Sequence, residues 1–297
     1  MISHSSIESA MYQAMRMAAI RIPRDVEAAL QRALAEESDP LAREHLRVSM
    51  ENFRLASEGK GLVCGDTGFP IYFVTAGAGT AIEGGFGTLW RAAEEATRRL
   101  TAEGYLRPTM VDPLTRENPG DNIGPGMPRV DLRFEGEGGG LQIVAAPKGG
   151  GSEIFGTFYR MLFPSDGEAG VSKFVIESVR AGCYAGKICP PAIVGVGIGG
   201  TADLCMALAK RAAVLRPVGE RSPNPRVAEL EERLLAATRE LGIGPMGSQG
   251  INAVLAVNIE TAVTHTAALP VAVNAQCLVG RRWGASISSD GEVTLAC

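Results

Sequence analysis

The segment Cys189-Pro-Pro-Ala-Ile-Val-Gly195-Val-Gly197-Ile-Gly199-Gly200 constrains the fold of this chain more than any other stretch. Apolar residues 192–196 predict a buried strand, the glycines a turn, and the alanine-rich run 201–215 a helix that follows at once. A helix packs that closely on a strand only where side chains are missing between them, so the spacing predicts tight strand-to-helix packing. The same letters satisfy G-x-G-x-x-G, the fingerprint of a dinucleotide site. That reading needs an acidic residue at the tip of the next strand. Glu220 lies at the right distance, but the segment before it, Leu215-Arg-Pro-Val-Gly219, is short and broken by Pro217. Packing is the better account.

Around this unit the periodicity changes along the chain. Apolar spacing predicts helices over 10–20, 25–35 and 41–57, so residues 1–60 form a helical region. Residues 62–74 are strand-like but interrupted by Cys64-Gly-Asp-Thr-Gly68, and a helix is predicted over 89–103. Residues 108–128, rich in Pro, Gly, Asp and Asn, form a long irregular loop of the kind that is usually functional. Alternation at Val130, Leu132 and Phe134, then Leu141 to Ala146, predicts a β-hairpin. Residues 148–152 form a turn. Helices follow over 171–181 and 226–241, and strands over 252–259 and 271–273. No linker splits the pattern. The expectation is one domain, 1–297, of the α/β class or a mixed α+β arrangement, with a glycine-rich sheet-and-helix body after the helical N-terminal region.

Composition narrows the function. Formal charge is −4, which supplies no basic field for nucleic acid or an anionic membrane. No apolar run approaches the roughly 18 residues of a membrane span. The first residues lack the basic start and apolar stretch of a secretory signal, so a cytoplasmic setting is expected. Six cysteines are too few for a disulfide scaffold and are free for metal or catalysis. Glycine is the outlier, at 37 residues with only 5% aromatics. Such a chain brings backbone close to a small ligand.

Cys64, Cys189 and Cys277 each sit in a loop-like context, with no Cys-x-x-Cys pair for zinc and no ferredoxin spacing. Spacing alone leaves two accounts of them: a cluster held where several loops meet, or three unrelated cysteines. Cys205 falls on an apolar helix and reads as core, and Cys183 as a weaker candidate for metal. Cys297 is terminal. Lys148-Gly-Gly-Gly-Ser152 offers a cation and successive N–H groups, a nest for an anion or simply a hairpin turn. Of three histidines, His265, twelve residues before Cys277, is the one that fits a site. No Gly-x-Ser-x-Gly elbow is present.

Taken in order, these segments resemble the α subunit, or N-terminal half, of the iron–sulfur hydro-lyases: class I fumarate hydratase and L-tartrate dehydratase. The matching motifs are Cys64-Gly-Asp-Thr-Gly68, Val111-Asp-Pro-Leu-x-Arg-x-Asn-x-Gly-Asp-Asn122, Ala146-Pro-Lys-Gly-Gly-Gly-Ser152 and Cys189 through Gly200. Leu215-Arg-Pro-Val-Gly-Glu-Arg221, Leu241-Gly-Ile-Gly-Pro-Met-Gly247 and Thr264-His265 through Cys277 complete the set.

The resemblance implies a [4Fe–4S] cluster held by Cys64, Cys189 and Cys277 with one open iron. It places Asp66, Arg107, Lys148, Gly151 and His265 around a four-carbon dicarboxylate, with Asp66 and His265 as catalytic groups. The implied reaction is hydration of fumarate to L-malate, with L-tartrate dehydration as the alternative. A non-catalytic iron–sulfur sensor or scaffold is the reading from another class. The family's second half, with further cations and the proton-abstracting group, is absent, which implies a separate β subunit in an α2β2 assembly. One departure stands out. Gly65 occupies a position that is often glutamine in the family, which bears on substrate identity.

Overall fold

A computed structural model describes residues 1–296; Cys297 lies outside the described residues. The chain divides into two compact units whose segments interleave, so no single linker separates them in sequence. One unit comprises residues 1–23, 53–150 and 281–297, the other 24–52 and 151–280.

The first unit is a five-stranded mixed sheet with two helices. Its elements are α1 (His4–Ile20), β1 (Phe69–Ala76), α4 (Thr88–Ala102), β2 (Arg129–Phe134), β3 (Gly140–Lys148), β8 (Trp283–Ser288) and β9 (Val293–Ala296). Strand order is β2-β1-β3-β8-β9. Helix α1 is capped by Ser3, whose side chain accepts the Ser6 N–H, and it presents Ile7, Ala10, Met11, Ala14 and Met15 to the core. Helix α4 packs on α1, and its Ala92, Ala93 and Ala96 are buried in the same core.

The hairpin expected over 130–146 is not formed. Strands β2 and β3 both pair with β1, on opposite sides, parallel through Phe73 and Asp131 and antiparallel through Phe73 and Val144. The reason is burial. Strand β1 (Phe-Pro-Ile-Tyr-Phe-Val-Thr-Ala) is apolar on both faces and belongs in a sheet centre, whereas β2 carries alternating charges and suits an edge.

The second unit contains α2 (Arg24–Glu36), most of α3 (Pro40–Ser57) and α5 (Gly150–Phe155), then β4 (Thr157–Leu162), α6 (Gly167–Cys183), β5 (Ala192–Ile198), α7 (Ala202–Leu215), α8 (Pro225–Arg239), β6 (Val254–Thr261) and β7 (Leu269–Gln276). The turn expected over 148–152 is instead the end of β3 running directly into α5. Strand order is β4-β7-β5-β6. Strand β5 has two different faces. Val194 and Val196 pack with Phe174, Val175, Leu230 and Leu234 of α6 and α8. Gly195 and Gly197 face α7, where an added Cβ would lie 2.0 Å from the carbonyl oxygens of Ala209 and Cys205 respectively. The G-x-G-x-x-G letters are therefore consumed by strand-to-helix contact. Cys205 and Ala209 complete that contact against Ala272.

This packing sets an expectation for stability. Gly197→Ala forces backbone apart and should destabilise by about 3 kcal/mol or more. Gly61→Ala, with open space around the added methyl, should stay within about 0.5 kcal/mol of wild type. Urea unfolding midpoints compare the two, and similar midpoints would overturn the packing account.

Candidate functional site

In the first unit, the loop before β1 is built for rigidity. Asp66 Oδ1 accepts the Gly68 N–H at 3.0 Å and its Oδ2 accepts the Gly150 N–H at 2.7 Å. The carboxylate is thereby fixed in direction while the residue stays exposed. Gly68, at φ +69°, lies so close to β3 that a Cβ would meet the Lys148 carbonyl oxygen at 1.9 Å. Only glycine satisfies both demands. Cys64 is half-buried at the start of this loop, and Lys148 is wholly buried at the end of β3.

Arg107 is held over the same loop. Its backbone N–H donates to Thr67 Oγ1 at 2.8 Å, and its Nη1 donates to the Gly65 carbonyl at 3.2 Å. A guanidinium has five N–H donors, so the others stay available to an anion. The long 108–128 loop is anchored beneath it by Asn122, buried and at φ +64°. Asn122 Oδ1 accepts from Thr109 and Met110, and its Nδ2 donates to the Arg107 carbonyl at 3.0 Å. Sequence reasoning passed over Thr67 and Asn122 as individual residues. The signal was their place inside two of the motifs, with an amide that tolerates the left-handed region where Asn is favoured.

In the second unit, Cys189 and Cys277 come together at one end of the sheet. The Leu278 N–H donates to the Cys189 carbonyl at 3.1 Å, and β5 and β7 pair Ile193 with Gln276 just beyond. Cys189 is exposed and sits at φ +52°, where its own N–H closes a turn by donating to the Gly186 carbonyl. Gly151 borders the same loop: a Cβ there would lie 3.1 Å from the Lys187 carbonyl oxygen.

His265 is elsewhere. It stands on the exposed β6–β7 loop, tied to the opposite end of the sheet by the Thr264 hydroxyl bonding the Gly200 carbonyl at 3.1 Å. Strand β7 separates it from Cys277, roughly 25 Å at about 3.3 Å per residue. Its Nδ1 accepts the Ala267 N–H, which leaves the neutral ring's proton on Nε2. The twelve-residue spacing that favoured His265 is spent on a full strand.

The cysteines sort by environment. Burial pushes the Cys183 thiol up to about 12 and the Cys205 thiol up to about 11. Those two are core residues, and Cys183 is a poor metal ligand. Cys64, Cys189 and Cys277 keep access to solvent. Among the described residues no three His, Cys, Asp or Glu side chains converge on one point that would hold a single ion. Cys189 and Cys277, held at one end of the second unit's sheet, are accessible side chains of the type that ligates an iron–sulfur cluster.

The comparisons agree with the motifs. A sequence model of the fumarate hydratase (Fumerase) family matches residues 8–286. A protein of Methanocaldococcus jannaschii named "Putative L(+)-tartrate dehydratase subunit alpha" is 41% identical over 278 residues, covering 93% of this chain and 95% of that one. The "L(+)-tartrate dehydratase subunit alpha" of Escherichia coli (strain UTI89 / UPEC) is 33% identical over 274 residues, covering 92% and 88%. The one from Shigella sonnei (strain Ss046) shows the same identity and coverage. With nearly its whole length matched, this chain belongs to the fumarate hydratase family of hydro-lyases.

Proposed function

We propose that the chain is the α subunit of a two-chain hydro-lyase that moves water on and off a four-carbon dicarboxylate. The observation that carries this reading is the fixed Asp66 carboxylate, two residues after Cys64, in a loop whose Gly65 carbonyl accepts from an Arg107 guanidinium with donors to spare. Fumarate and L-malate are the pair implied by the family model, and L(+)-tartrate is favoured by the names of the full-length relatives.

In this reading Cys64, Cys189 and Cys277 hold a [4Fe–4S] cluster, which when bound supplies a Lewis acid to polarise the substrate hydroxyl. Arg107 binds a substrate carboxylate through a charge-assisted pair and orients it. Asp66 accepts or relays a proton at its exposed carboxylate oxygens, whose direction the Gly68 and Gly150 amides set in advance. The Gly151 backbone allows close approach beside Cys189. Lys148 is wholly buried at the end of β3 and does not face solvent. His265 lies a strand's length from Cys277, so a part in binding the diacid requires it to be supplied by another chain. The opposed base and the second carboxylate's cations are assigned to a β subunit in an α2β2 assembly. Water exclusion by such a partner would strengthen each charge contact.

Three outcomes are expected. Anaerobic reconstitution of Cys64→Ser, Cys189→Ser or Cys277→Ser should yield protein short of iron, while Cys205→Ser should retain it; full iron in any of the first three removes that ligand. With the β subunit present, Arg107→Ala should keep the cluster and lower kcat/KM for the diacid by about 2–3 kcal/mol, roughly 30- to 150-fold. Wild-type kinetics would take Arg107 out of the site. Finally, the loaded chain alone should turn over fumarate, L-malate and L-tartrate negligibly, and the substrate with the highest kcat/KM after addition of β names the reaction. Robust turnover by the lone chain would sink the two-chain reading.

A further inference from the structure

Two turns of the second unit, residues 184–190 and 244–248, meet backbone to backbone beside Cys189. An added Cβ at Gly186 would lie 2.5 Å from the Met246 carbonyl oxygen, and one at Gly247 would lie 2.2 Å from the Gly186 nitrogen. The Met246 N–H donates to the Pro190 carbonyl at 2.8 Å. Among the described residues, five other than glycine have φ in the left-handed region. Three of them, Ala185, Cys189 and Met246, lie in this pair of turns. That conformation is unfavourable for a residue with a side chain and persists only where the surroundings enforce it.

The enforcing groups can be named. The Cys189 N–H donates to the Gly186 carbonyl at 2.9 Å, and the Cys189 carbonyl accepts from Leu278. The next carbonyl along, that of Pro190, is the one taken by Met246. The Met246 turn is held in its place by α2 and α3. Ser248 closes the turn from within on the Pro245 carbonyl, and His45 of α3 donates to the same oxygen from outside, Nδ1 at 3.1 Å. Just after α2, buried Glu37 accepts the Ile251 and Asn252 N–H groups at 3.2 Å each and Asn252 Nδ2 at 3.0 Å. The path from the helices to Cys189 is therefore a short series of directed bonds. A glycine at 189 would take up this turn more easily, but it would carry no thiol.

We propose that His45 and the Gly186–Gly247 contact position Cys189, holding its backbone in the left-handed turn before a cluster binds. This rests on Cys189 being a cluster ligand. A ligand fixed in advance loses less freedom on binding, so the brace lengthens the time for which the cluster is retained.

The test compares the full chain, reconstituted anaerobically, as wild type, Gly247→Ala, Gly242→Ala, His45→Phe, His45→Asn and Cys189→Ser. Gly242 lies at φ +66° with nothing within 4 Å of an added Cβ, so its variant carries the left-handed cost without the wedge. Release of iron to a chelator is timed, and labelling of the buried Cys183 and Cys205 thiols reports whether the unit has opened. Gly247→Ala should release iron about tenfold faster than wild type. Gly242→Ala should match wild type, with Cys183 and Cys205 unlabelled in both. His45→Phe keeps a ring and removes the donor, and release should quicken about fivefold, the effect of one hydrogen bond. It remains decisive if Gly247→Ala opens the unit. His45→Asn returns an N–H in place of Nδ1 and should recover most of the loss. Wild-type release from a folded Gly247→Ala or from His45→Phe would overturn the proposal and leave the ligand assignment intact, as would equal acceleration in Gly242→Ala and Gly247→Ala. Full iron in Cys189→Ser, or none in wild type, would instead defeat the cluster reading on which the proposal rests.

Discussion

Contact of backbone against backbone, with no side chain between, is the constraint on which both units rest. Gly195 and Gly197 let α7 lie directly on β5, and Gly68 lets the Cys64 loop lie on the Lys148 carbonyl. In each case a methyl in place of the α-hydrogen would overlap another residue's carbonyl oxygen. Glycine costs conformational entropy in the unfolded chain, so it persists at these positions only because the close approach returns more. At these positions the glycine is architectural.

Rigid support of this kind explains why an exposed loop can carry chemistry. Asp66, Arg107 and Cys189 are all accessible, yet each is tied by groups of buried or strand-adjoining residues: Gly68 and Gly150, Thr67, and Leu278. Side chains in the open usually lose their orientation to water. Here the directing bonds come from elements whose own positions are set by the sheet, so little ordering remains for a ligand to bring about.

The helices and the βα unit were legible because their signals are local. Apolar spacing over 25–35, 41–57 and 226–241 needs no knowledge of the rest of the chain, and the glycines of β5 announce a helix packed on it. What was not legible is pairing at a distance. The alternation at Val130 to Phe134 marks a strand but does not say that β1, from far earlier in the chain, slips between it and β3. β4 was missed because its edge position leaves Tyr159 and Met161 exposed, which blurs the alternation. The cysteine loops and His265 were found through motif order, but that order does not show that an extended strand turns the twelve residues between His265 and Cys277 into distance. The interleaving of the two units, likewise, leaves no compositional seam.

That interleaving bears on how the chain is made. The second unit draws on residues 24–52 and 151–280, while the first also needs β8 and β9 from beyond residue 281. During synthesis the usual order is for the N-terminal body to fold first. Here the unit that begins the chain is the one finished last. Strand β3 must wait with an open edge until β8 emerges to pair Ala145 with Trp283. An unpaired edge is a template for unwanted strand addition. Termination between the end of β7 and the start of β8 would therefore release a chain whose second unit is complete and whose first still exposes that edge.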